Sequence, residues 1–170
     1  MNRKTRDLTL SALFAALTLI SLYIAAVWPT GLFGLVAFAS LFGAAAVVEA
    51  GIAPGIYVYA ASSVLGVLLL PDKAAPILHI FFFGYYPVAK SLIERLNSKI
   101  AQWALKLSVF NIALSALWFL FGALVLDFGD NPPDLILLHL CGSAVFALFD
   151  YGYTKVIWLY ISRVSKFTRK

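Results

Sequence analysis

Five side chains in the last three apolar stretches of the chain are candidates for chemistry. A helical repeat of about 100° per residue places His139 and Asp150 on one face of the last apolar stretch. The same spacing puts Asn111 and Trp118 on one face of the preceding stretch, and His79 lies in the stretch before that. Polar groups inside long apolar segments are costly and are often functional, so we predict that all five bind a substrate.

The positions of these residues along their helices predict two layers. His79 and His139 each lie close to the predicted outer end of a helix, and they could meet at an outward-facing pocket with Trp118 as a wall. Asn111 and Asp150 lie deeper and could meet near its floor or on the cytoplasmic side. The alternative is that such residues only form hydrogen bonds between helices, which contribute about 0.6 kcal/mol each. Both interpretations remain open at this stage.

The motifs of common enzyme classes are absent from the sequence. The single cysteine, Cys141, permits no internal disulfide and no cysteine-based metal cluster. There is no H-E-x-x-H, no G-x-S-x-G and no phosphate-binding glycine loop. We therefore predict no catalytic residues, no metal ligands, no cofactor and no enzymatic activity.

The composition is that of an integral membrane protein. Of the 170 residues, 62% are hydrophobic and only 12% are charged, whereas a soluble domain needs about 25% charged residues. No charge occurs between Leu8 and Val48, which is enough chain for two bilayer crossings. A soluble domain, a disordered tail and a disulfide-rich scaffold are excluded.

Charged residues, prolines and glycines divide the chain into six apolar segments. We predict an all-α protein with one transmembrane domain, 1–170, and an amphipathic segment, 90–103, along the inner membrane surface. The predicted transmembrane helices are 8–28, 32–50, 55–70, 74–89, 104–126 and 134–161.

The distribution of basic residues predicts the orientation. Twelve of the 13 Lys and Arg residues fall on one side of this six-helix topology, and only Lys73 falls on the other. The side rich in positive charge is the cytoplasmic one, so both termini are predicted to be cytoplasmic. The expected location is the cell membrane, as a multi-pass protein in contact with the lipid bilayer and without a nucleic-acid partner.

The beginning of the chain, from Lys4 to Leu17, contains an Ala12-x-x-x-Ala16 pair on the first helix. It resembles the start of the substrate-binding S components of energy-coupling factor (ECF) transporters. The resemblance implies a six-helix bacterial protein that captures a vitamin or similar micronutrient and docks on a transmembrane coupling subunit attached to ATPase subunits. In that family the small-residue pair meets the coupling subunit, so Ala12 and Ala16 are the implied docking residues.

The resemblance and the polar faces together predict a solute-binding subunit without ATPase activity of its own. The alternative from a different class is a non-catalytic membrane assembly or structural protein with no small-molecule ligand. The sequence does not identify the solute.

Overall fold

The computed structural model of the protein describes residues 3–125 and 134–165, and these are helical almost throughout. The predicted all-α class is confirmed. A helix pairs its backbone groups within itself, as apolar surroundings require. The α-helices in these ranges are α1 (Arg3–Val27), α2 (Leu32–Ala50), α3 (Ile52–Leu69), α4 (Ala74–Leu78), α5 (Tyr86–Ile93), α6 (Lys99–Val125) and α7 (Leu135–Tyr160).

Five of these helices, α1, α2, α3, α6 and α7, are long and apolar enough to cross a membrane. They correspond to the predicted helices 8–28, 32–50, 55–70, 104–126 and 134–161. The third begins earlier than predicted because Pro54 lies in its first turn, where a helix tolerates a proline. The long apolar helices are consistent with a membrane protein.

The predicted fourth helix, 74–89, is divided into two α-helices. The π-helical segment His79–Phe83 follows α4, and the chain then turns at Gly84 and Tyr85 before α5. The Gly84 N–H donates a hydrogen bond to the His79 carbonyl at 2.6 Å, five residues back. Pro87 lies in the first turn of α5. The interruption therefore lies where glycine and proline predict a bend.

Gly84 is essential to this interruption because no side chain fits there. A Cβ atom at Gly84 would lie 2.6 Å from His79 Nε2 and 2.7 Å from Tyr59 Cδ2. We expect Gly84→Ala to lower the free energy of unfolding by about 1–3 kcal/mol through overpacking. The control is Gly152→Ala on α7, where a Cβ atom meets nothing within 4 Å. Thermal unfolding of both variants in detergent tests this, and equal stabilities would contradict it.

The predicted amphipathic segment 90–103 is not one continuous helix. It contains the end of α5, a turn, and the start of α6. The side chain of Gln102 on α6 donates a hydrogen bond to the Leu96 carbonyl in the turn at 2.7 Å. The helical spacing of apolar residues within 90–103 is therefore shared between the end of α5 and the start of α6. The turn between the two helices is closed by a polar side chain of α6.

Helices α1, α2 and α3 pack closely against one another. Gly51 joins α2 to α3 directly at a φ of 100°, a conformation that favours glycine. The small pairs Ala39/Gly43 on α2 and Ser62/Gly66 on α3 are buried in this packing. The pair on α1 differs, since both of its alanines are exposed.

Helix α7 is the least buried of the five long helices. It is held to α2 by Tyr153, whose hydroxyl donates to the Ser40 carbonyl at 2.9 Å. Tyr153 also belongs to a small cluster with Ala44, Tyr86 and Phe146, which joins α2, α5 and α7. Because α7 touches the bundle through a few large side chains, space remains beside it.

Candidate functional site

A cavity of about 470 Å³ lies between α2, α5, α6, α7 and the π-helical segment. Ligand pockets in proteins are typically about 300–1,000 Å³, so its volume suits one small molecule. Its lining is mainly apolar. The lining residues are Phe33, Gly34, Ala37, Phe82, Phe83, Tyr85, Tyr86, Ala89, Ile93, Lys106, Val109, Phe110, Leu114, Leu117, Leu138, Cys141, Gly142, Val145, Phe146 and Phe149.

Aromatic rings from three elements meet along the cavity wall. Phe110 on α6 stacks on Phe146 of α7, with ring centroids 4.6 Å apart and planes at 19°. Phe83 of the π-helical segment meets Phe149 of α7 edge-on at 5.3 Å. Phe82 contacts Phe110 at 5.5 Å. These pairs fix the shape of the wall, because each ring is held by a partner on another element.

A buried ionic cluster adjoins the cavity, since its members Tyr86 and Lys106 are lining residues. The Asp150 carboxylate of α7 accepts hydrogen bonds from the Tyr86 hydroxyl and the Lys90 ammonium, both on α5. Its second oxygen lies 2.9 Å from Lys106 Nζ on α6. Both lysines also reach Glu94, with N–O distances of 2.6 Å from Lys90 and 2.7 Å from Lys106. One cluster therefore joins α5, α6 and α7.

The formal charge of this cluster is zero, since two lysines face two carboxylates. The side chains of Lys90, Lys106 and Asp150 are at most 5% exposed, whereas that of Glu94 is 40% exposed. Burial by itself raises the pKa of the Glu94 carboxyl, but hydrogen bonds from Lys106 and Lys90 outweigh it and hold this pKa below its ordinary value. Glu94 is thus ionised at neutral pH and completes the balance of charge.

His79 and His139 pair with serines on different helices. His79 is buried, and its Nε2 atom lies 2.9 Å from Ser62 Oγ on α3. The Nε2 atom of His139 lies 3.0 Å from Ser115 Oγ on α6. The His139 Nδ1 atom lies 2.8 Å from the Leu135 carbonyl of its own helix. His79 therefore links the π-helical segment to α3, and His139 links α7 to α6.

The deeper pair, Asn111 and Asp150, is also divided between two sets of contacts. The Asn111 side-chain amide donates to Ser143 Oγ on α7 at 3.1 Å. Asp150 belongs to the ionic cluster with Tyr86, Lys90 and Lys106. The polar faces that helical spacing predicts on α6 and α7 meet at two contacts, Asn111 with Ser143 and Ser115 with His139.

None of the five predicted substrate-binding residues is among those that line the cavity. His79, Asn111 and His139 lie in contacts between helices, and Trp118 is half-buried on α6. Asp150 is connected to the cavity indirectly, because its partners Tyr86 and Lys106 are lining residues. Direct contact of the five with a substrate stays a prediction.

The aromatic residues of the cavity were not predicted from the sequence. The only sequence signal was the spacing of Phe146, Phe149 and Tyr153 along one side of α7. Such a stripe cannot be told from ordinary packing or from a lipid-facing surface by residue type alone. Within residues 3–125 and 134–165, no three His, Cys, Asp or Glu side chains come together as a metal site would require.

The implied docking residues, Ala12 and Ala16, are exposed on α1. Their neighbours Ser11, Ala15 and Thr18 point inward and are buried. The exposed pair therefore belongs to the outer surface of the bundle. The cavity lining contains no residue of α1, so the two features occupy different parts of the molecule.

Comparison of the chain with known protein families, with curated proteins and with solved structures gives no match. The cavity, the ionic cluster and the exposed surfaces are the features of this chain that bear on its function.

Proposed function

We propose that this chain is the membrane-embedded solute-binding subunit of an ATP-driven ECF-type importer for a vitamin or similar micronutrient. The observation that carries the proposal is the cavity of about 470 Å³ between α2, α5, α6 and α7. Its volume suits a single small molecule, and its walls are built from rings held by partners on other helices.

The exposed pair Ala12 and Ala16 supports the second half of the proposal. A subunit that captures a solute but carries no phosphate-binding loop depends on a separate motor for import. Small exposed residues four apart allow a partner helix to approach closely. The proposed partners are a transmembrane coupling subunit and its ATPase subunits.

The proposed topology has six crossings, with both termini in the cytoplasm of a bacterial cell. In it, α4, the π-helical segment and α5 together form the fourth crossing. Twelve of the 13 basic residues then lie on or near the cytoplasmic side. The ionic cluster supports this arrangement. Its two lysines, Lys90 and Lys106, both contact Glu94 in the α5–α6 turn, which this topology places on the cytoplasmic side.

Cysteine labelling in intact cells tests this topology. With Cys141 first replaced by Ser, we expect an impermeant thiol reagent to modify Thr30→Cys and Asp72→Cys, which lie in exposed connections. Ser98→Cys lies in the α5–α6 turn on the proposed cytoplasmic side and should react only after the cells are broken. Modification of Ser98→Cys in intact cells would contradict the six-crossing topology.

Purification of the tagged chain from its own cells in mild detergent tests the function itself. We expect ATPase subunits and a further membrane subunit to co-purify, and mass spectrometry to detect a bound small molecule. Absence of any ATPase-linked partner would overturn the importer proposal.

One observation favours the alternative, a membrane assembly or structural protein without a ligand. The predicted polar residues Asn111 and His139 are both engaged in hydrogen bonds between α6 and α7. Co-purification of other membrane proteins, with neither an ATPase nor a bound small molecule, would support that alternative.

A further inference from the structure

The lining of the cavity indicates which chemical class of solute it takes. Eight of the residues that form its wall are aromatic, and the others are aliphatic or small apart from Cys141 and Lys106. Aromatic side chains interact favourably with other ring systems through stacked and edge-on contacts. The aromatic residues are Phe33, Phe82, Phe83, Tyr85, Tyr86, Phe110, Phe146 and Phe149.

Lys106, the charged side chain of the cavity lining, is already paired with two carboxylates of the protein. Lys106 Nζ lies 2.7 Å from Glu94 Oε1 and 2.9 Å from Asp150 Oδ2. The Tyr86 hydroxyl donates a hydrogen bond to the Asp150 carboxylate. The remaining polar side chains of the lining, Tyr85 and Cys141, are a phenol and a thiol rather than a carboxylate, an ammonium or a guanidinium group.

We propose that the cavity binds an uncharged solute with an apolar, ring-containing body, and that it discriminates against solutes that carry a carboxylate or an ammonium group. This inference rests on the proposed function and names the substrate class of the same cavity. An ionised solute would lose its water on entry, and such a loss is unfavourable unless a charged partner compensates for it. The nearest ammonium, Lys106, could supply that partner only by leaving Glu94 or Asp150.

A matched set of three naphthalene probes tests the substrate class. The probes are 2-acetylnaphthalene, 2-naphthoate and 2-naphthylmethylammonium, which share one ring system and differ in charge. Ligand binding to the folded state raises the unfolding temperature, so the purified full-length chain in lipid nanodiscs is heated with each probe. We expect 2-acetylnaphthalene to bind at least about tenfold more tightly than either charged probe.

A pair of glycine substitutions separates binding in the cavity from partition into lipid. Gly34 on α2 lines the cavity, and a Cβ atom there meets nothing within 4 Å, so Gly34→Phe introduces a ring without a backbone clash. Gly152 on α7 is equally open but is not a lining residue. The neutral probe should stabilise the parent and Gly152→Phe, and should lose its effect in Gly34→Phe. Val145→Trp, at an exposed lining residue of α7, provides a second obstruction should Gly34→Phe fail to fold.

The outcomes distinguish this inference from the proposed function. Stabilisation by 2-naphthoate or by the ammonium probe equal to that by 2-acetylnaphthalene would overturn the inference on charge. Equal effects of the neutral probe on Gly34→Phe, Val145→Trp and the parent would overturn the assignment to this cavity. Either result leaves the importer proposal intact if ATPase subunits co-purify. Selective binding of the neutral probe without an ATPase partner would support the inference and overturn the importer.

Discussion

Asp150→Asn is expected to lower the free energy of unfolding by about 3–5 kcal/mol, the cost of removing one partner from a buried ion pair. The substitution leaves Lys90 and Lys106 with Glu94 as their remaining carboxylate in the cluster. The side chains of both lysines are at most 5% exposed, so water cannot replace the lost charge. Reversible unfolding of the purified protein in detergent measures the loss.

The control within the same cluster is Glu94→Gln. Glu94 is 40% exposed, so solvent compensates for much of its charge, and we expect a loss below about 1 kcal/mol. Combining Asp150→Asn with Lys106→Met removes one charge of each sign and should recover part of the stability. Equal losses for Asp150→Asn and Glu94→Gln would show that burial of the carboxylate does not set the cost of removing it. No recovery in the double variant would show that charge balance does not stabilise this part of the bundle.

Replacing Ala12 and Ala16 together with Leu is expected to abolish assembly with the proposed coupling subunit. Both alanines are exposed on α1, so the new side chains would face lipid and leave the isolated fold stable. They would fill the groove that a partner helix needs. Solute binding by the purified subunit should persist, whereas co-purification of ATPase subunits and ATP-dependent uptake should fall to background.

Two control variants define how this result is interpreted. Ala104→Leu with Ala144→Leu enlarges exposed alanines on α6 and α7, away from α1, and should leave assembly intact. Ala15→Leu enlarges a buried alanine of α1 and should cost about 1–3 kcal/mol of stability by overpacking. Normal transport by the Ala12/Ala16 variant would refute the docking role, and unfolding of that variant would assign the pair to internal packing.

The long helices were predictable from hydropathy because apolar surroundings permit few other structures. Helix α2 has the predicted bounds, Leu32–Ala50, since Gly31 and Gly51 flank an uninterrupted apolar run. The start of α6 at Lys99 was not predicted. Its first turn mixes Lys99 and Gln102 with apolar residues, so the sequence alone suggested an amphipathic segment at the membrane surface. In the structure Gln102 and Lys106 are buried by their contacts with the preceding turn.

The cavity was not predictable for a related physical reason. In a soluble protein an apolar residue indicates the core, but in a membrane it is equally suited to lipid. Phe110 and Phe146, which form the wall, are of the same kind as Phe119, which is 75% exposed. Helical spacing did predict that Asn111 belongs to a polar face, yet it could not distinguish a partner on α7 from a bound solute.

The ionic cluster also has a consequence for how the chain is made. Lys90 and Lys106 are synthesised before Asp150, so both reach the translocation machinery without their main counter-charge. Lys90 lies in the last turn of α5 and Lys106 lies near the start of α6, where a long side chain can carry its ammonium group to the membrane surface. Glu94, made between the two lysines, can accompany them but leaves one positive charge in excess. The cluster therefore becomes electrically neutral only when α7 delivers Asp150, the last of its four charged residues in the sequence.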